Sequence, residues 1–192
     1  MAIKLLFLAG STREGSLNKK LAKLAYSLAE KEGVQATYID LKDFPMPLYD
    51  GDLEDESGLP ETAIALKNIF VEHDGVFIAS PEYNSGYSAV LKNAIDWISR
   101  KHEEGEKNLV AFAGKVAAIS AASPSVRGGL RGLVPLRMLL GNIDMTVIPK
   151  QLALPEAQNA FDDEGNIIQE AHAKMLYAVV RNLISTTTAL KQ

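Results

Sequence analysis

The sequence has 192 residues, of which 47% are hydrophobic and 23% are charged, a composition typical of a globular domain that buries its own core. We therefore expect residues 1–192 to form a single domain. The net charge of -4 argues against nucleic acid as a partner, because no overall basic field attracts a phosphate backbone. The absence of cysteine excludes disulfides, thiol nucleophiles and thiolate-bound metals, so redox chemistry would require a bound cofactor.

The apolar segments predict strands and helices in alternation. Runs rich in β-branched or aromatic residues predict strands at Ile3–Ala9, Val34–Leu41, Gly75–Ser80, Lys115–Ala121 and Met145–Ile148. Apolar residues at helical spacing predict helices that begin near Leu17 and that cover Ala63–His73, Ala89–Lys101, Leu130–Leu140 and Glu170–Leu190. The proline-containing, acidic segment Lys42–Pro60 is expected to be irregular and to arch over the carboxyl edge of the sheet.

Strands that alternate with helices indicate an α/β fold with a parallel sheet covered on both faces. Five such units fit a three-layer sandwich with a five-stranded sheet of order 2-1-3-4-5 better than a barrel, which needs eight units. In that order, ligands bind at the edge where the first and third strands end.

The start of the chain is interpreted as a strand. Leu5–Leu8 follows a lysine, as in a secretion signal, but the apolar run is too short and leads into polar residues. No run approaches the roughly 20 apolar residues that a membrane helix needs. We expect a cytoplasmic protein with no membrane partner.

The loop after the first strand has the residue types that hold a phosphate at the start of a helix. Such a site needs unpaired backbone N–H groups, short hydroxyl donors, and glycine where the backbone approaches the ligand. Starting at Gly10, the loop provides Ser11, Thr12, Arg13 and Ser16, together with the backbone amides near Leu17 and Asn18. A capped turn without a ligand would contain similar residues, so the loop alone leaves both interpretations open.

Two other phosphate motifs are disfavoured. Gly10 and Gly15 have the spacing of a Walker loop, but Ser16 stands where that motif requires lysine, which argues against nucleoside triphosphate hydrolysis. The fingerprint G-x-G-x-x-G does not follow the first strand, which argues against a tightly held dinucleotide. A mononucleotide suits the loop better.

The loop after the third strand, Ser80–Gly86, has groups suited to a flat polar ring. Pro81 ends the strand because it lacks an N–H. The backbone of Glu82 to Asn84, with the Asn84 amide, offers donors and acceptors for the pyrimidine side of an isoalloxazine, and Tyr83 offers an aromatic wall. An ordinary turn with an exposed tyrosine is the alternative. A phosphate loop paired with a ring loop predicts a bound flavin nucleotide.

Three segments together match the pattern of a known family. They are Gly10-Ser11-x-Arg13-x-x-Ser16-x-Asn18, Pro81-Glu82-Tyr83-Asn84 and Leu91-Lys92-Asn93-Ala94-Ile95-Asp96-Trp97. With these segments the chain resembles the NAD(P)H-dependent FMN reductase family, which includes quinone, azo-dye and chromate reductases of flavodoxin-like fold. The resemblance spans essentially the whole chain.

The resemblance implies bound FMN, with NADPH or NADH as the reductant. It implies that the FMN phosphate is bound by Ser11, Arg13, Ser16, Leu17 and Asn18, and that the isoalloxazine is lined by Pro81, Glu82, Tyr83 and Asn84. The loop after the fourth strand occupies the third flavin-contacting place, which implies roles for Ser120 and Ser123. No residue is assigned as catalytic, because no side chain needs to act as a nucleophile.

Members of that family are typically dimers or tetramers with the flavin near the subunit interface. The resemblance therefore implies a homodimer or homotetramer. Trp97 and the helix Ala89–Lys101 are candidates for the interface. The apolar residues of this helix can equally form a core face within one chain, and both interpretations stay open.

Other polar residues are interpreted as structural. Acidic residues between positions 50 and 61 have calcium-loop spacing, but Asp55 stands where that loop needs glycine and Pro60 interrupts it, so no metal site is expected. His73, His102 and His172 have no partnered carboxylate or serine motif and are expected at solvated surface positions.

The sequence thus predicts an oxidoreductase of ping-pong type. Reduced nicotinamide would pass hydride to bound FMN and depart, and a small acceptor such as a quinone, an azo compound, chromate or free flavin would then take the electrons. The alternative is a flavodoxin-like FMN electron carrier that docks on a redox protein. Such a carrier needs a strongly acidic docking face, and a net charge of -4 is modest.

Overall fold

The computed structural model describes residues 2–191 and contains a parallel sheet. Its strands are β1 (Lys4–Ala9), β2 (Gln35–Asp40), β3 (Gly75–Ala79), β4 (Val116–Ala122), β5 (Thr146–Val147) and β6 (Leu152–Leu154). They are arranged in the order β2-β1-β3-β4-β5, with β6 also paired to β4. The flavodoxin-like fold class and the strand order predicted from the sequence are confirmed.

Helices cover both faces of the sheet. They are α1 (Leu17–Lys31), α2 (Gly51–Ser57), α3 (Glu61–Val71), α4 (Ala89–Ile98), α5 (Leu130–Asn142) and α6 (Glu170–Leu190). Side chains alternate along β1, so that Leu5 and Phe7 join the core beneath α1 and α6 while Leu6 and Leu8 join the core beneath α3, α4 and α5. Within the described range 2–191, no helix combines the length and apolar character needed to cross a bilayer.

The fifth position in the sheet holds two short strands. β5 lies within the predicted strand Met145–Ile148 and pairs with the start of β4, whereas β6 pairs with its end. Pro149 lies between them and has no N–H to donate to the sheet, which explains the interruption. The sequence analysis missed β6.

The segment Lys42–Pro60 is not wholly irregular as expected, because it contains α2. The Asp50 side chain begins this helix by accepting a hydrogen bond of 2.9 Å from the backbone N–H of Asp52. Only Leu53 is a large apolar residue in α2, so the helix has no apolar stripe that sequence periodicity would detect.

Trp97 is fully buried within its own chain, which favours the second of the two interpretations left open by the sequence, a core face within one chain, over a subunit interface at this residue. Its indole Nε1 donates a hydrogen bond of 2.8 Å to the carbonyl of Pro47, and its ring packs edge-on against Tyr49. Asn93 fixes the same loop, since its amide donates to the Pro47 carbonyl and accepts from the Tyr49 N–H, each at 2.8 Å. Asn93 and Trp97 of α4 therefore anchor the 45–50 loop within the same chain.

His73 also differs from the expectation of a solvated position. Its ring is buried, with Nδ1 2.6 Å from the carbonyl of Ile69 and Nε2 2.9 Å from the hydroxyl of Thr37. His102 is largely buried too, with Nδ1 3.2 Å from the buried ammonium of Lys67. Both rings stabilise loops and strands remote from the carboxyl edge of β1 and β3.

Replacing Trp97 with Phe should lower the free energy of unfolding by about 1–3 kcal/mol, because the variant leaves a cavity and removes a donor to Pro47. Urea unfolding of both proteins measures the difference. Met175→Leu, at an exposed position of α6, is the control and should change the free energy by less than about 0.5 kcal/mol. Equal effects of the two substitutions would contradict the anchoring role of Trp97.

Candidate functional site

Three loops meet where β1, β3 and β4 end, and a cleft opens between them. The residues that line it are Ser11, Arg13, Ser16, Leu17, Asn18, Pro81, Glu82, Tyr83, Ala122, Ser123 and Pro124. Of the site residues predicted from the sequence, the structure brings all except Asn84 and Ser120 into this lining. The cleft lies at the edge where open parallel sheets bind their ligands.

The start of α1 forms one end of the cleft and has groups suited to an anion. Ser16 caps the helix by accepting a hydrogen bond from the Lys19 N–H. The backbone N–H groups of Leu17 and Asn18 have no acceptor within residues 2–191, and the first turn contains no acidic residue. Unpaired N–H groups and the positive end of the helix dipole together favour a bound phosphate.

Arg13 is the cation left available at this end of the cleft. The two neighbouring lysines are engaged, Lys19 with Asp40 and Lys42 with Glu14. The hydrogen bond and the charge of Lys42 lower the pKa of Glu14, so that carboxylate stays ionised and paired. Arg13 is exposed and has no ion-pair partner in the described part of the chain.

A tight hairpin turn forms the opposite end of the cleft. Tyr83 and Gly86 exchange two backbone hydrogen bonds of 2.9 Å, and the two residues between them, Asn84 and Ser85, have φ angles of 51° and 66°. Left-handed conformations of non-glycine residues cost free energy and occur often at ligand sites. The turn places Tyr83, which is 56% exposed, at the rim of the cleft, with Asn84 just outside the lining.

The side chain of Glu82 turns away from the cleft and caps α5. Its carboxylate accepts hydrogen bonds from the Arg131 N–H at 3.1 Å, the Arg131 Nε at 2.8 Å and the Gly132 N–H at 3.4 Å. A Cβ on Gly132 would lie 3.0 Å from the carbonyl of Gly86, so glycine permits this close approach. The hairpin is thereby fixed to α5, and only the backbone of Glu82 is available to a ligand.

The third loop, residues 123–129, lies close against the end of the sheet. Ser123 lines the cleft, and its hydroxyl accepts a hydrogen bond from the Ser125 N–H at 3.2 Å. Ser120 is fully buried, and its hydroxyl accepts from the Leu152 N–H at 3.4 Å, so the structure does not bring this side chain into the cleft. Gly129 has a φ of 88°, and a Cβ there would lie 2.8 Å from that of Ala121.

These groups fit FMN. One end of the cleft has unpaired N–H groups, hydroxyls and a free guanidinium for an anionic tail, and the other has an aromatic side chain beside exposed backbone for a flat ring. Glu82 is the acidic residue of the lining, and its charge is paired with Arg131 at 2.7 Å. No unpaired carboxylate therefore opposes a phosphate within the lining.

Sequence comparison identifies the family. The chain matches the family model described as NADPH-dependent FMN reductase over residues 3–159. It is 34% identical over 194 residues to a protein of Arabidopsis thaliana named NADPH:quinone oxidoreductase, covering 98% of this chain and 94% of the relative. It is 36% identical over 148 residues to the quinone reductase of Escherichia coli K12, covering 77% and 74%.

Structural comparison agrees. The flavoenzyme NAD(P)H:(acceptor) oxidoreductase FerB from Paracoccus denitrificans superposes with a TM-score of 0.83 at 28% identity, covering 98% of each chain. The chain therefore belongs to the NADPH-dependent FMN reductase family and is an FMN-dependent oxidoreductase that uses NAD(P)H.

Proposed function

We propose that this enzyme passes electrons from NADPH or NADH through bound FMN to a quinone or another small acceptor by a ping-pong mechanism. The supporting observation is an open cleft that has unpaired N–H groups and Arg13, both suited to an anion, and also the exposed Tyr83. Two planar substrates that need the same cleft must occupy it in turn. The names of the relatives from Arabidopsis thaliana and Escherichia coli favour quinones over azo compounds, chromate or free flavin.

Each loop has a proposed role in holding FMN. The hydroxyls of Ser11 and Ser16, the guanidinium of Arg13 and the backbone amides of Leu17 and Asn18 bind the phosphate. The segment Pro81–Asn84 and Ser123 line the isoalloxazine. When bound, FMN supplies the redox centre that accepts electrons from the nicotinamide and gives them to the acceptor.

The remaining task of the protein is orientation. Hydride transfer requires the donor carbon at about 3–3.5 Å from its target, so the cleft must align the nicotinamide and leave one face of the ring accessible. Tyr83 is suited to align a planar substrate, because its side chain is exposed and the turn that carries it is fixed by backbone hydrogen bonds. No side chain of the lining needs to act as a nucleophile.

Anaerobic mixing with NADPH distinguishes the reductase from the electron carrier that the sequence left as an alternative. For a reductase, the visible absorbance of the bound FMN should bleach promptly, and adding a quinone should restore it. Free FMN with NADPH but no protein is the control. Absorbance that persists with both NADPH and NADH would contradict the proposal and favour the carrier.

Replacing Arg13 with Ala should weaken FMN binding about tenfold and leave riboflavin binding unchanged, because riboflavin lacks the phosphate. Fluorescence titration of the FMN-free protein measures both affinities. Lys20→Ala, which removes an exposed cation from the nearby first turn of α1 outside the lining, is the matched control and should change neither. An equal loss for FMN and riboflavin would contradict the assignment of Arg13 to the phosphate.

We also propose that the enzyme is a homodimer or homotetramer. Because Trp97 is buried, the supporting surface is instead on α5, where Leu130, Val134 and Met138 recur at four-residue spacing and are 46%, 66% and 64% exposed. This stripe adjoins Arg131 and the ring end of the cleft. The cytoplasmic location expected from the sequence stays a prediction.

Val134→Lys should shift the protein toward the monomer, because it places a charge within the apolar stripe. Light scattering over a concentration series should show the dissociation constant rising about tenfold or more. Val71→Lys, at an exposed apolar position of α3, is the matched control and should leave the mass unchanged. An unchanged mass for Val134→Lys would exclude this stripe as the interface.

A further inference from the structure

The sheet loses a backbone partner at the end of β4. β3 pairs with β4 as far as Ser120, whose carbonyl accepts a hydrogen bond of 2.8 Å from the Ser80 N–H. Pro81 then has no N–H to donate, and the chain turns away into the hairpin. The backbone N–H and C=O of Ala122, which is 3% exposed, face the position that β3 has left.

The side chain of Asn18 fills this position. Its Nδ2 donates to the Ala122 carbonyl at 2.9 Å, and its Oδ1 accepts from the Ala122 N–H at 2.9 Å. Asn18 is 3% exposed, so both hydrogen bonds are shielded from water. A side-chain amide presents an N–H donor and a C=O acceptor side by side, as the backbone of a strand residue does, so the Asn18 amide substitutes for the missing strand.

We infer that Asn18 is a positioning residue, whose side chain holds the end of β4 rather than the FMN phosphate. The inference rests on the proposed placement of FMN in the cleft. Ala122 directly precedes Ser123 and the third loop, so the amide fixes where that loop meets the ring. The backbone N–H of Asn18 remains available to the phosphate, since the side chain alone is engaged with Ala122.

This arrangement joins the first turn of α1 to the third loop of the cleft. Asn18 lies in the first turn of α1, beside the proposed phosphate donors, and Ala122 lies 104 residues later in the chain, directly before the third loop. On its other side, the loop is held by the Ser123 N–H, which donates to the Leu154 carbonyl at 3.1 Å. The start of the loop is thus held by a backbone hydrogen bond to β6 and by the Asn18 side chain of α1.

Comparison of FMN with riboflavin tests the inference. Asn18→Ala should weaken binding of both ligands by the same factor, about tenfold, because it disturbs the ring contact and leaves Ala122 unpaired. Arg13→Ala provides the contrast, with a loss for FMN alone. A loss confined to FMN in Asn18→Ala would show that the side chain binds phosphate and would overturn the inference, as would unchanged affinity for both ligands.

Hydrogen exchange of the FMN-free protein gives a readout that is independent of the cofactor. In Asn18→Ala, the exchangeable backbone amides within residues 121–126, where Pro124 has none, should exchange faster, while those of β1 keep their protection. Unchanged exchange at 121–126 would overturn the inference. Suppose that Arg13→Ala leaves FMN binding unchanged while exchange at 121–126 rises in Asn18→Ala. The proposed placement of FMN would then be wrong, but the role of Asn18 in holding the end of β4 would be supported.

Asn18→Asp is the second variant, in case removal of the whole side chain prevents folding. Asp retains an acceptor for the Ala122 N–H but cannot donate to the Ala122 carbonyl. Riboflavin is the ligand for this variant, because the added charge repels a phosphate but not an uncharged tail. Riboflavin affinity should fall severalfold, and unchanged affinity would overturn the inference.

Discussion

The cofactor site depends on one constraint, which is that backbone groups at the end of a buried parallel sheet must keep hydrogen-bond partners. β3 and β4 lie between other strands and are buried along their whole length. A ligand cleft opens only where neighbouring strands separate, and separation removes the partners that the strands gave each other. The residues that replace those partners therefore determine the shape of the cleft.

Two side chains meet this constraint, and each joins a loop to a helix start. Asn18 pairs with the Ala122 backbone and joins the third loop to α1. The Glu82 carboxylate accepts hydrogen bonds from backbone N–H groups at the start of α5 and thereby joins the hairpin to that helix. Both side chains belong to sequence motifs typical of cofactor contact, yet both act on the protein itself, while their backbones remain available to the ligand.

The sequence was sufficient for the features that depend on local pattern. β1 and β3 are continuous apolar runs because both faces are buried, and their ends were predicted to within one residue. Long-range features escaped prediction. The apolar pattern of α4 indicates that Trp97 is covered by other residues, but it does not indicate that the 45–50 loop of the same chain covers it. Likewise, no local pattern indicates that Asn18 pairs with a residue 104 positions away. β6 was missed because a three-residue strand has too little pattern to detect.

The pairing of Glu82 with Arg131 has an electrostatic consequence for the molecules that enter the cleft. An acidic side chain in the ring-side loop would repel anions, but this carboxylate is neutralised by a guanidinium and by the amino end of α5. The local potential is then governed by Arg13 and the start of α1. A negatively charged dinucleotide can approach the site even though the protein as a whole carries a charge of the same sign.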